Sequence, residues 1–105
     1  MERHLSDLGR FSEPALLVLT SLASGPKHGY AMIEDIKQIY GGELGAGTLY
    51  AAIARLKQRG LIEALPAVER RRPYRLNDAG VAVLRAQLSN LQQFVAIGLH
   101  RLAQS

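Results

Sequence analysis

Residues 46–60 read Ala46-Gly47-Thr48-Leu49-Tyr50-Ala51-Ala52-Ile53-Ala54-Arg55-Leu56-Lys57-Gln58-Arg59-Gly60, and this stretch decides the fold. On a helical wheel at about 100° per residue, Leu49, Ala52, Ile53 and Leu56 share one face, which is expected to pack on other helices. The opposite face carries Gly47, Tyr50, Ala51, Ala54, Arg55 and Gln58, with Thr48 beside Arg55. Small residues on an exposed face let a helix axis approach DNA closely in the major groove. Arg55 and Gln58 are long enough to reach base edges or phosphate. Thr48 and Tyr50, near the N-terminus, can donate hydroxyl hydrogen bonds to phosphate beside free backbone N–H groups. Ala51 and Ala54 are also good helix formers, which is a purely structural account of the same residues.

Upstream, the first ten residues are mixed and polar and read as an arm or a short helix. Ser12-Glu13-Pro14 reads as a helix start with Ser12 as cap, followed by the apolar run Leu16, Leu17, Val18, Leu19 and Leu22. Ser24-Gly25-Pro26 ends that helix. A second helix is expected over residues 29–39, its apolar positions Tyr30, Ile33, Ile36 and Ile39 recurring every three residues and Met32 flanking them. Gly41-Gly42 supplies a left-handed C-terminal cap.

Downstream, residues 61–65 and 73–76 read as two strands joined by a loop that carries Arg70-Arg71-Arg72, with Tyr74 and Leu76 on one face. Pro73 suits an edge or the start of a strand. Asn77 or Asp78 can cap a long last helix reaching Leu102. The fold expected is mainly α with a small β-hairpin: a winged helix-turn-helix over residues 1–77 and a C-terminal dimerisation helix over 78–105. In that last helix Val81, Leu84, Leu88, Leu91, Val95, Gly98 and Leu102 alternate steps of three and four, a coiled-coil-like seam widened by Phe94 and Leu99. About 24 residues of helix extend about 36 Å, too much for the first helix to cover, so a homodimer is the simpler arrangement.

Composition narrows the function. The formal net charge is +4, and residues 55–75 concentrate Arg55, Lys57, Arg59, Arg70, Arg71, Arg72 and Arg75 against Glu63 and Glu69, a balance that favours a polyanion such as double-stranded DNA. Three consecutive arginines on an unplaced surface are most often only a solvated charge run; their place just after a helix-turn-helix reverses that preference. There is no cysteine, which removes disulfides and thiol chemistry and suits a reducing cytoplasm. No apolar run is long enough to span a bilayer, and residues 1–7 lack the apolar stretch of a signal peptide. His4, His28 and His100 show no metal-ligand spacing, Ser24 and Ser89 have no nearby base, and residues 42–47 lack the Gly-Lys-Ser/Thr ending of a phosphate loop. No enzyme, no metal and no cofactor is expected.

Three motifs, in order, resemble the PadR family of bacterial transcriptional regulators in its short form with one C-terminal helix. They are His28-Gly29-Tyr30; Gly47-Thr48-Leu49-Tyr50 with Arg55-Leu56 and Gly60-Leu61-Ile62; and Arg72-Pro73-Tyr74-Arg75-Leu76 followed by Gly80. The resemblance runs over residues 14–102. It implies a homodimer through the last helix, repression as the activity, and DNA contacts from the third helix and the wing. Ala51 stands where the family commonly has proline, and Glu69-Arg70-Arg71-Arg72 replaces the usual glycine-led wing, departures that bear on wing geometry and DNA preference. His28 reads either as a phosphate contact or, with Gly29 and a half-buried Tyr30, as a structural turn.

The DNA-binding residues expected are therefore Gly47, Thr48, Tyr50, Ala51, Arg55, Gln58, Arg70, Arg71 and Arg72, with Tyr30 as a weaker member. Those expected in the dimer are Val81, Leu84, Leu88, Leu91, Phe94, Val95, Leu99 and Leu102. Two alternatives stay open: a winged-helix module that binds protein, and a regulator governed by a small-molecule effector between the dimer helices, with Phe11 and Phe94 as candidate cavity residues.

Overall fold

The computed structural model describes residues 13–105. The expected N-terminal arm, the Ser12 cap, His4 and Phe11 lie outside those residues. The described elements are α1 (Pro14–Leu22), β1 (Lys27–His28), α2 (Gly29–Tyr40), α3 (Ala46–Gln58), β2 (Ile62–Ala64), β3 (Pro73–Leu76) and α4 (Asp78–Gln104). Proline in the first turn of α1 loses no helix hydrogen bond, because the first N–H groups of a helix have no partner within it. Glu13 holds the N-cap position of α1 without a side-chain cap bond.

The core gathers Leu17, Val18, Leu19 and Leu22 of α1, Met32 and Ile36 of α2, and Leu49, Ala52, Ile53 and Leu56 of α3, closed by Ile62 and Leu84. The expected apolar stripe of α3 is thus the buried one. The stripe expected on α2 is not. Tyr30 is 60% exposed rather than half-buried, Ile39 is 47% exposed, and the fully buried pair is Met32 and Ile36. Positions three apart fall back about 60° per step on a 3.6-residue helix, so four of them spread over half the wheel. Met32 and Ile36, four apart, stay on one face. Beneath them Ser21 donates to Asp35 (2.7 Å), and Lys27 reaches the Ser21 carbonyl (2.5 Å) and Ser24 (2.7 Å), tying α1 to the start of α2.

The wing has one strand more than the hairpin expected. The sheet order is β1-β3-β2, antiparallel throughout, with Ile62 opposite Leu76, Ala64 opposite Tyr74, and His28 opposite Pro73. Pro73 opens β3, the central strand, so it sits at a strand start but not at an edge. Beyond β2 the chain makes a tight two-residue turn. Val68 and Arg71 exchange backbone hydrogen bonds (2.8 and 2.9 Å), leaving Glu69 and Arg70 at the tip with φ of 50° and 70°.

Asn77 caps α4, its side chain accepting from the Gly80 N–H (2.8 Å). The same residue donates from its side-chain amide to the Gly60 carbonyl (2.7 Å) and from its backbone N–H to Leu61 (3.2 Å). Gly80 completes this clasp, since a Cβ there would run into the Leu61 carbonyl oxygen. The first turns of α4 are thereby fastened to the end of α3. Of the 27 residues of α4 only Gly80 and Leu84 are buried. Leu84 belongs to the chain's own core, which removes it from the exposed seam in which it was expected. Leu88, Phe94, Val95, Leu99 and Leu102 are 46–73% exposed. Phe94 points about 90° away from the seam on the helical wheel.

Candidate nucleic-acid interface

α3 presents its expected polar face outward: Gly47, Thr48, Tyr50, Ala51, Ala54, Arg55 and Gln58 are all exposed. The N-cap of this helix is Gly45, which leaves the first turn without a side-chain partner. Tyr50 does not sit over that turn. Its hydroxyl lies against Gly29 at the start of α2, in space that any side chain on residue 29 would need.

The wing returns toward this face, and its three arginines are not equivalent. Arg70 stands at the tip of the turn. Arg71, paired with Val68, folds back so that its guanidinium lies 6.0 Å over the Tyr30 ring and 3.3 Å from Nε2 of His28. Arg72 donates to the Leu65 carbonyl (2.8 Å), which fastens the wing loop to itself. Arg75, further along β3, is committed to an ion pair with Glu63. The basic run read as one cluster is therefore divided among solvent, α2 and the wing's own backbone.

Two adjoining clefts join helix to wing. One, of about 400 Å³, is walled by His28, Tyr30, Tyr50 and the three wing arginines. The next, of about 390 Å³, runs between Tyr50, Ala54, Gln58 and Tyr74. Tyr50 and Tyr74 border both. The fold thus brings Tyr30, Tyr50, Gln58 and Arg70–Arg72 to one side of the molecule. Gly47, Thr48, Ala51 and Arg55 lie on α3 outside these clefts.

His28 is the residue whose role sequence reasoning left open. Its Nδ1 accepts from the Ala31 N–H (3.3 Å), so the imidazole is the N-cap of α2. Histidine is not among the usual capping residues, and its position at the end of β1 is what aims the ring. Strand β1 itself, two residues long, carries no alternation that could have announced it.

A second surface lies where β3 meets the start of α4. Leu76, Val81, Leu84 and Leu88 line an apolar groove of about 430 Å³ that Arg85 and Gln92 flank. It shares Val81 and Leu88 with the exposed seam of α4. Among the described residues no group of three metal-ligating side chains is gathered, and no helix is long and apolar enough to cross a membrane.

Comparison with known proteins gives a consistent result. The model of the transcriptional regulator PadR-like family matches residues 18–86, which covers the helices, the wing and the clasped start of α4. An uncharacterized 37.1 kDa protein in transposon TN4556 of Streptomyces fradiae is 40% identical over 82 residues, 78% of this chain and 24% of that protein. The transcriptional activator GvpE2 of Halobacterium salinarum is 28% identical over 93 residues, 88% of this chain and 47% of its own length. The chain thus spans less than half the length of these curated relatives. Among solved structures, a transcriptional regulator from Clostridium thermocellum aligns with a TM-score of 0.74 at 25% identity, over 88% of this chain and 91% of that one.

Proposed function

The chain belongs to the PadR-like family of transcriptional regulators, DNA-binding proteins rather than enzymes, and we propose that within it this chain is a cytoplasmic, homodimeric repressor of a pseudo-palindromic operator. The observation that carries the reading is that Tyr50, Ala54 and Gln58 of the exposed α3 face and the three wing arginines line two adjoining clefts, with Tyr50 bordering both. In this reading α3 enters the major groove, where Arg55 and Gln58 read base edges and the small residues Gly47, Ala51 and Ala54 permit close approach. Thr48, Tyr50 and Tyr30 contact the backbone. Arg70 and Arg71 of the wing lie along the phosphates or the minor groove, and Arg72 holds the wing in shape.

Functionally the chain divides at Asn77, residues 1–77 binding DNA and 78–105 pairing the protomers. The seam Val81, Leu88, Leu91, Val95, Leu99 and Leu102 supports this pairing, because an apolar stripe of this length is costly to leave in water. Two half-sites about one helical turn apart, 10–10.5 base pairs, follow from a two-fold dimer. Repression then needs no further contact: an operator overlapping a promoter is closed to polymerase by occupancy.

Selection of bound sequences from a random DNA pool tests the reading. A two-fold related pair of half-sites should be enriched, and placing it over a promoter should lower transcription in a purified system. No enrichment sinks the assignment; enrichment with raised transcription makes the protein an activator. A second reading, control by a small apolar effector, is favoured by the groove beside α4, whose volume of about 430 Å³ falls in the range of small-molecule sites.

A further inference from the structure

His28 faces two hydrogen-bond donors with one acceptor to offer. A neutral imidazole has one nitrogen that accepts and one that carries hydrogen. Nδ1 accepts from the Ala31 N–H (3.3 Å), which places the ring hydrogen on Nε2. Nε2 in turn lies 3.3 Å from a terminal guanidinium nitrogen of Arg71, and arginine only donates. With the cap in place, the Nε2–H of His28 and the Arg71 guanidinium are two donors brought to one exposed spot. With the other tautomer the arginine is satisfied and the helix loses its cap. No single tautomer of His28 accepts from both Ala31 and Arg71.

An oxygen acceptor with several lone pairs, placed at the mouth of the cleft, removes the conflict. It accepts from Nε2–H and from Arg71 together and leaves Nδ1 on the helix cap. The surroundings suit a negatively charged oxygen. Arg70 and Arg72 wall the same cleft, and the hydroxyl-bearing rings of Tyr30 and Tyr50 form its other sides. Among the described residues no carboxylate lines it. The Arg71 guanidinium also lies over the Tyr30 ring, at 6.0 Å, a contact that favours its place in the cleft wall.

The geometry points to a single-phosphate site in which His28 Nε2–H and the Arg71 guanidinium share one non-bridging phosphate oxygen, supplied by the DNA backbone. This rests on the DNA-binding reading above and deepens it. A phosphodiester seated here fixes the wing against α2, so the contact positions the molecule on the duplex without reading sequence.

Because His28 contributes a neutral donor and Arg71 a charge, the two substitutions leave different traces. His28→Asn keeps an N-cap oxygen for the Ala31 N–H and removes Nε2, so the fold is retained. It should weaken binding to random-sequence duplex DNA roughly 5- to 10-fold with the salt dependence unchanged. Arg71→Ala should weaken it by at least as much and reduce the salt slope by about 0.9. The double variant should be impaired by clearly less than the product of the two, since both donors serve one oxygen. Wild-type affinity in His28→Asn with an unaltered melting temperature overturns the site, and strictly multiplicative effects overturn the shared oxygen. A parallel titration with inorganic phosphate, followed by the His28 ring resonances, separates the sources. Saturation by inorganic phosphate while His28→Asn leaves DNA binding untouched assigns the pocket to free phosphate and overturns the backbone contact. Failure of the wild-type protein to bind any duplex at low salt instead removes the underlying DNA-binding reading.

Discussion

The Tyr50 hydroxyl on α3 rests against the α carbon of Gly29 on α2, in the volume that a Cβ on residue 29 would fill. Tyr50 is 49% exposed, so it can swing away when that volume is taken. Gly29→Ala should therefore cost little stability, about 1 kcal/mol or less, yet displace the tyrosine from the cleft it borders. DNA affinity should fall to that of Tyr50→Ala, and the double variant should be no worse than either. Melting curves and DNA titrations on the four proteins check this. Additive effects would show that the two residues act separately.

Sequence discrimination is assigned to α3. Arg55→Ala should reduce the preference for selected over random DNA by about 1–3 kcal/mol if Arg55 pairs with a base in bidentate fashion. Competition titrations with both DNAs measure it. An equal fall on both would make Arg55 a phosphate contact. No change on either would mean that α3 docks with another face.

The wing arginines should behave unequally. Arg70 and Arg71 carry free or cleft-facing charge, whereas Arg72 donates to Leu65. Replacing all three by alanine should flatten the salt slope by about one unit for each phosphate that is no longer neutralised, and most of that change should be reproduced by Arg70→Ala with Arg71→Ala. Arg72→Ala alone should chiefly loosen the hairpin, seen as faster amide exchange at residues 65–72. An Arg72→Ala protein with the largest slope change would reverse this ranking.

Strain at the tip makes a separate prediction. Glu69 and Arg70 both occupy positive φ, where a side chain costs roughly 1 kcal/mol. Glu69→Asn with Arg70→Gly supplies the pair this turn favours and should raise stability by about 1–2 kcal/mol in denaturant unfolding. DNA affinity should fall at the same time, through removal of the Arg70 charge. A variant no more stable than wild type would show that the turn is relaxed as it stands.

The dimer is tested at the seam. Leu88 is 46% exposed, so Leu88→Asp should leave the protomer folded. A carboxylate near the two-fold axis would be buried close to its mate without a partner, and the dimer should separate. Light scattering should report a monomer, and binding to the full operator should collapse once the half-sites are no longer held as a pair. A folded monomer that holds the operator with native affinity would remove both the interface and its role.

What could be read from the chain, and what could not, follows from the range of the forces involved. The stripe Leu49, Ala52, Ile53 and Leu56 was legible because its spacing matches the helical repeat and all four positions are buried. The cap of the last helix was legible as Asn77 or Asp78, because either residue before a helix has a local bonding role, and it is Asn77 that caps. On α2 the three-residue recurrence of Tyr30, Ile33, Ile36 and Ile39 misled, since it drifts around the helix while Met32 and Ile36 do the packing. Strand β1 depends on pairing with residues more than 40 positions away, and two residues cannot display a pattern. The division of labour within Arg70-Arg71-Arg72 is set by a turn whose positive φ values no glycine or asparagine advertised.

The clasp of Asn77 and Gly80 on Gly60 and Leu61 makes α4 a lever whose short end is bolted to the end of α3. In a dimer whose two-fold axis passes near Leu88, about 12 Å of rigid helix separates that axis from Gly80. A change of about 15° in the tilt of each helix about that axis then moves each bolted end by roughly 3 Å, close to the rise of one base pair. In the proposed dimer, anything that wedges or relaxes the joint between the two helices would be felt at the DNA as a shift of register, without any change inside residues 13–77.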